Sequence, residues 1–181
     1  IYRLGRKYNL NPILHVDGYQ EGYDLILECE NYKEAYLGYI KDDLRRAKFK
    51  DFQKESIDNI LSVCYYEDYE KLSKLSKNIE SIRGDFNIIF NQNISKRTVL
   101  EFLNINGCKW CALKKYIDSL GIDKDQVIAM GDDNNDIQLI KNVGLGIAMR
   151  NATQQCKSAA DYISRKTNNE SGVYYELSEI F

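Results

Sequence analysis

At 181 residues the chain is long enough to bury a substantial core and to hold one or two domains. Its 25 basic and 27 acidic residues are interspersed and leave a net charge of −2, which argues against a nucleic-acid surface or a polybasic membrane patch as partner. No apolar run has the length of a membrane span, the first residues lack the features of a signal peptide, and the five cysteines (Cys29, Cys64, Cys108, Cys111 and Cys156) are odd in number and scattered, so the expectation is a cytoplasmic protein with reduced thiols.

In chain order, a short helix is expected around Tyr2 to Asn9, closed by the Asn11-Pro12 turn signal. Ile13 to Val16 and Leu25 to Cys29 read as strands, and Asp17-Gly18 through Gly22 supply the turn of a hairpin. Tyr32, Ala35, Tyr36, Tyr39, Ile40 and Leu44 recur at helical spacing. After a polar stretch from Lys48 to Asp58, Ile60 to Tyr65 reads as a strand. Tyr69, Leu72, Leu75, Ile79 and Ile82 make a second helical stripe, and Phe86 to Phe90 and Val99 to Leu103 are strands on either side of a turn-rich loop, Asn91 to Lys96. Hairpins with helices grouped on one sheet describe an α+β layer, with no glycine-rich phosphate loop in it.

From Asn104 the pattern changes to alternating helix and strand. Leu113, Tyr116, Ile117 and Leu120 form the stripe of a helix ending at Gly121, a strand covers Val127 to Met130, and a helix runs to Asn142. A strand over Leu145 to Met149, a short helix after Asn151, a brief Tyr162-Ile163 strand and a last helix aligning Val173, Leu177 and Ile180 complete what reads as half of a doubly wound α/β sheet.

The stretch around which this second half is organised is Gln126 to Ile140, where an apolar run stops at Gly131 and gives way to Asp132, Asp133 and Asp136. In open α/β sheets, ligands gather at the carboxyl ends of strands. Carboxylates crowded there repel one another and lose hydration, so a fold that keeps them usually places a hard cation among them, with Mg2+ the first choice. The competing reading is that Asp132 or Asp133 only caps the following helix. Asp123 and Asp125 precede the strand, at the end away from the chemistry.

Gly131-Asp132-Asp133-Asn134-Asn135-Asp136, followed by Gly144-Leu-Gly-Ile-Ala-Met149 and Asn151-Ala152, resembles the fourth motif of the haloacid dehalogenase-like hydrolases, and within them the Cof-type sugar-phosphate phosphatases. Lys109 ahead of Ala112-Leu113 matches the lysine of the third motif, although Trp110 stands where a glycine is usual, and Asn168-Asn-Glu-Ser-Gly172-Val173 resembles the closing segment. The resemblance implies a Rossmann-like core whose C-terminal half occupies residues 105–181, with an α+β cap domain in residues 1–104. It also implies an Mg2+-dependent phosphatase acting on a small phosphorylated metabolite through an aspartyl-phosphate.

On the same grounds Lys109 is the catalytic cation and Asp132 the metal ligand. Asp136 orients metal-bound water or holds the loop, and Asp133, Asn135 and Asn151 serve the phosphoryl group or brace the site. The first motif of the family, which carries the nucleophilic aspartate, is not found, so the chain is expected to be a fragment lacking it. The nearest segment, His15-Val-Asp17-Gly18, has histidine at the nucleophile's place and reads as a hairpin turn. Two other readings remain open: a protein of this fold that lost its nucleophile and binds phospho-ligands or partners, and a thiol-disulfide exchanger built on Cys108-Lys-Trp-Cys111 at a helix start.

Overall fold

The computed structural model describes residues 1–28, 39, 45–80, 84, 86–92 and 97–181. Cys29, the expected helix from Tyr32 to Leu44 except Tyr39, the helical position Ile82 and most of the loop between Asn91 and Lys96 lie outside the described residues. The chain divides into two compact units: Ile1–Phe90 with Ile94–Ile105, and Asn91–Asn93 with Asn106–Phe181. Among the described residues no helix is long and apolar enough to cross a membrane.

The first unit is built on a six-stranded sheet of order β3-β2-β1-β4-β6-β5. Its strands are β1 (Ile13–Val16), β2 (Leu25–Glu28), β3 (Ala47–Lys50), β4 (Ile60–Glu67), β5 (Phe86–Asn91) and β6 (Thr98–Asn104). β1 is antiparallel to both β2 and β4, with Ile13 opposite Leu27 and Cys64, and β4 is antiparallel to β6. The two-residue period sends Ile13, Leu27, Cys64 and Val99 into one cluster and Leu14, Val16 and Ile26 into another. Helices α1 (Tyr2–Lys7) and α2 (Tyr69–Glu80) pack on this sheet, where Leu72, Leu75 and Ile79 join Leu10, Tyr65, Leu100 and Phe102 in a buried cluster. Tyr69 of the expected stripe stays half exposed, its ring 5.4 Å from that of Phe90 and tilted by 52°.

One strand here is absent from the sequence reading. Ala47–Lys50 pairs in parallel with β2, Leu27 opposite Phe49, and runs into the stretch from Lys48 to Asp58 that reads as polar. Its alternation is Ala47 and Phe49 against the core cluster with Lys48 and Lys50 between, the composition expected of an edge strand, which β3 is. Lysine at every second position hid the pattern. Asp17 follows β1 and is exposed, ahead of a 3-10 turn at Tyr19–Glu21 and Gly22 at φ 85°, so the segment is the hairpin turn that the sequence indicates.

The second unit carries a parallel sheet, β7 (Ile128–Gly131), β8 (Leu145–Ala148) and β9 (Tyr162–Ile163), in that order. With helices α3 (Lys109–Ser119), α4 (Ile137–Asn142), α5 (Gln154–Ala159) and α6 (Gly172–Ile180) it forms a mixed α/β fold of the Rossmann-like type. Ile140, Ala148, Ala152 and Cys156 make its buried cluster. Two expected core stripes are exposed instead. On α6, Val173, Leu177 and Ile180 face solvent while Gly172 and Glu176 are buried, because Glu176 accepts the Ser164 hydroxyl at 2.7 Å and turns that face inward. On α3 only Ile117 is buried, with Tyr116 and Leu120 exposed. β7 is likewise less covered than its apolar residues imply: Ala129 and Gly131 are buried, Ile128 and Met130 only partly.

Candidate functional site

The site grows from the end of β7. Gly131 is buried there, and a Cβ on it would lie 2.6 Å from both Cγ and Oδ2 of Asp136, so only glycine lets the aspartate fold back against the strand end. The next residues enter a 3-10 turn, Asn134–Asp136, before α4 begins. Asp133 caps that turn: its Oδ1 accepts the Asn134 N–H at 2.7 Å, and the Asp136 carboxylate accepts the Asp133 N–H at 3.3 Å in return. The capping role, open between Asp132 and Asp133 in the sequence, therefore belongs to Asp133. Both of its oxygens also accept the Gln92 N–H, at 2.8 and 3.1 Å. Gln92 has no signal in the sequence, since it contributes a backbone amide.

Asp136 is 5% exposed and ties the loop together. Its Oδ2 accepts the Asp132 N–H at 3.0 Å, and its Oδ1 receives the Lys109 ammonium at 2.5 Å. Lys109 is the first residue of α3, where unpaired amides and the helix dipole already favour an anion. Its side chain is about half exposed while its carboxylate partner is buried, so the ion pair stands at the edge of the site.

Asp132 is half buried at the mouth of this loop. Its Oδ2 accepts amide N–H groups from Asn151, at 3.3 Å, and Asn168, at 3.0 Å. The two asparagines are linked, since Asn151 Oδ1 accepts the Asn168 N–H at 3.1 Å. Backbone bonds lock the frame: Met149 N–H to Gly131 O at 2.9 Å and Thr153 N–H to Asp132 O at 3.0 Å. Thr153 also donates its hydroxyl to Asn134 Oδ1 at 2.7 Å. Burial, followed by the neighbouring Asp136 carboxylate, pushes the Asp132 carboxyl above the usual range, only partly offset by the Asn151 amide. Asn135 lies in the turn, and among the described residues its side chain has no hydrogen-bond partner.

Asn168 is a site residue that the sequence does not single out. It opens the Asn168-Asn-Glu-Ser-Gly172 segment, held by a capping box of Thr167 with Glu170 and by Arg150 on Glu170 at 2.6 Å. The motif marked the segment; only the fold shows which amide points at Asp132.

The donor set admits Mg2+ in an open arrangement. Among the described residues no three Asp, Glu, His or Cys side chains converge as a metal cage, and Asp133 and Asp136 spend their oxygens on amides and on Lys109. Asp132, whose Oδ2 accepts two amides, is the third carboxylate here, partly desolvated and crowded by like charges. Mg2+ is commonly held this way, by one or two carboxylates with the remaining positions filled by water and substrate phosphate oxygens.

The model of the haloacid dehalogenase-like hydrolases matches residues 2–177. The chain belongs to that family. A 5-amino-6-(5-phospho-D-ribitylamino)uracil phosphatase of Bacillus subtilis is 40% identical over 95 residues, 52% of this chain and 37% of that protein. The crystal structure of a haloacid dehalogenase-like hydrolase from Bacteroides thetaiotaomicron superposes with a TM-score of 0.69 at 27% identity, covering 99% of this chain and 64% of the other. A sugar phosphatase of HAD subclass IIB gives a TM-score of 0.74 at 17% identity over 98% of this chain and 63% of its own, which speaks for a shared fold. The chain spans 33% to 48% of the length of three of the curated relatives that it matches.

Proposed function

We propose that the second unit is the metal-side and lysine-side half of a phosphatase site for small phosphorylated metabolites, sugar phosphates among them, and that residues 1–104 serve as its cap and 105–181 as part of its core. The observation that carries this reading is the linkage of Lys109 to Asp136 at 2.5 Å and of Asp136 to the Asp132 amide at 3.0 Å, which brings the ammonium at the start of α3 to the loop that carries the Asp132 carboxylate. Phosphoryl transfer asks a protein mainly for positioning and charge stabilisation. Mg2+, bound at Asp132, would supply a Lewis acid for a phosphoryl oxygen.

In this chain Asp132 holds the cation side, with Asn151 and Asn168 fixing its carboxylate through Oδ2. Lys109 offsets negative charge on the transferring group, and Asp136 holds the ammonium in place. Asp133 and Asn134 set the shape of the loop. The nucleophile, on the family's pattern an aspartate that forms an aspartyl-phosphate, is none of these three: Asp133 and Asp136 are committed to amides and to Lys109, and Asp132 to the metal. Asp17 sits in a hairpin turn of the first unit and does not serve.

The test is Mg2+-dependent hydrolysis of p-nitrophenyl phosphate and a panel of sugar phosphates by the gene product that carries this chain. Turnover that falls by orders of magnitude in both Lys109→Ala and Asp132→Asn, and stays near wild type in Asp125→Asn, supports the assignment. Turnover unaffected by the first two substitutions sinks it.

A further inference from the structure

The mechanism leaves Cys108 and Cys111 unused, and among the described residues they are the cysteines that reach the surface. Cys108 is the N-cap of the 11-residue helix α3; its Sγ accepts the Cys111 N–H at 3.2 Å and lies 2.8 Å from the Cys111 Sγ. Both residues are partly exposed, whereas Cys64 and Cys156 are 1% and 0% exposed. Burial pushes those two thiols up, to about 12 and about 11, which suppresses their thiolates. The Cys111 thiol is also held above its usual range, chiefly by its hydrogen bond with the Cys108 sulfur. A disulfide needs about 2.05 Å between sulfurs, so closing the gap takes less than about 1 Å of movement at residues three apart on a helix start.

We propose that Cys108 and Cys111 are a thiol-disulfide couple that closes reversibly around Lys109 when a small-molecule disulfide is the oxidant. In the forward direction the Cys108 thiolate attacks one sulfur of the small disulfide, forming a mixed disulfide and releasing one small thiolate. Cys111 then gives its proton to water or to that thiolate and attacks the Cys108 sulfur, releasing the second small thiol. Two protein thiols are oxidised, one small disulfide is reduced to two thiols, and excess small thiol reverses the sequence. The bond also changes what surrounds the lysine. Closing it draws the two sulfurs together across the first turn of α3, the turn from which Lys109 reaches Asp136. Resting on the phosphatase reading, this is redox control of that site; the thiol chemistry stands without it.

The experiment equilibrates the purified chain with reduced and oxidised glutathione in varying ratio, traps free thiols with a maleimide, and maps the products by peptide mass. The expected result is paired loss of the Cys108 and Cys111 thiols at one midpoint, a cross-linked peptide joining them, full recovery on adding reduced glutathione, and no change at Cys64 or Cys156. Cys108→Ser should abolish the cross-link, serine keeping the cap. Both thiols still labelled in a hundredfold excess of oxidised glutathione, or each carrying its own glutathione, overturns the couple. Amine labelling of Lys109 should differ at least threefold between the two states; equal labelling, with the cross-link formed, overturns its action on the lysine while leaving the phosphatase assignment to its own assay.

Discussion

Lys109 and Asp136 form a 2.5 Å ion pair between a half-exposed ammonium and a buried carboxylate, across 27 residues of sequence. The asymmetry sets what its removal does. Lys109→Ala leaves the Asp136 charge with only its backbone donors, and the expected loss of stability is about 1–3 kcal/mol, the range for a buried charge robbed of one partner, discounted for the exposed end. Chemical denaturation of wild type and variant measures it, and Lys109→Arg should recover part of the loss. A variant as stable as wild type would mean that the pair is only a surface contact.

Asp132 is strained electrostatically, and that has a sign. Its folded-state carboxyl is raised above its ordinary value by burial and then by Asp136, so just above the usual carboxylate range the folded chain keeps a proton that the unfolded chain has lost. Stability therefore falls as pH rises through that interval, and the penalty is complete above it. Asp132→Asn removes the charge and keeps an acceptor for Asn151 and Asn168. In metal-free buffer at pH 7 it should be more stable than wild type by up to about 1 kcal/mol, the exposure of the group limiting the gain, and its stability should lose that part of the pH slope. Thermal melts from pH 4 to 8 decide the point, and a destabilised Asp132→Asn would contradict it.

Gly131→Ala tests the close approach behind the loop. Its methyl would lie 2.6 Å from the Asp136 carboxylate, so the loop must shift, at roughly 1–3 kcal/mol for overpacking a tight site. Gly121→Ala, at φ 67° with open space around it, is strained by backbone alone and should leave the site intact. A Gly131→Ala protein that keeps wild-type stability and the Lys109–Asp136 contact by NMR would show that the glycine is not needed there.

The sequence revealed most where one side chain's chemistry and one strand's period coincided. β7 ending at Gly131, the acids after it and Lys109 at a helix start were all legible, because each is a local pattern. What was not legible depended on contacts distant in sequence. Gln92 enters through a backbone amide, Asn168 becomes a partner of Asp132 only once its segment folds beside Asn151, and Asp133 rather than Asp132 proves to be the cap. Strand β3 was hidden by its lysines. On α6 the periodic apolar residues lie on the outer face, since the Ser164–Glu176 hydrogen bond decides which side is buried.

Asn168→Ala probes the part of the site that the sequence missed. Losing one of the two side-chain amides on Asp132 Oδ2 should loosen the carboxylate without removing its charge. Metal affinity is expected to fall about tenfold, the low end of the 10- to 100-fold losses for supporting residues, with the fold unchanged. An affinity equal to wild type would make Asn168 a bystander.

Calorimetric titration of the chain with MgCl2 tests the proposal that Asp132 is the carboxylate holding Mg2+ in this loop. Wild type and Asp125→Asn should bind alike, Asp125 being an exposed residue paired with Lys124. Asp132→Asn should bind at least tenfold more weakly. Equal affinity in wild type and Asp132→Asn would mean that Asp132 does not hold the cation.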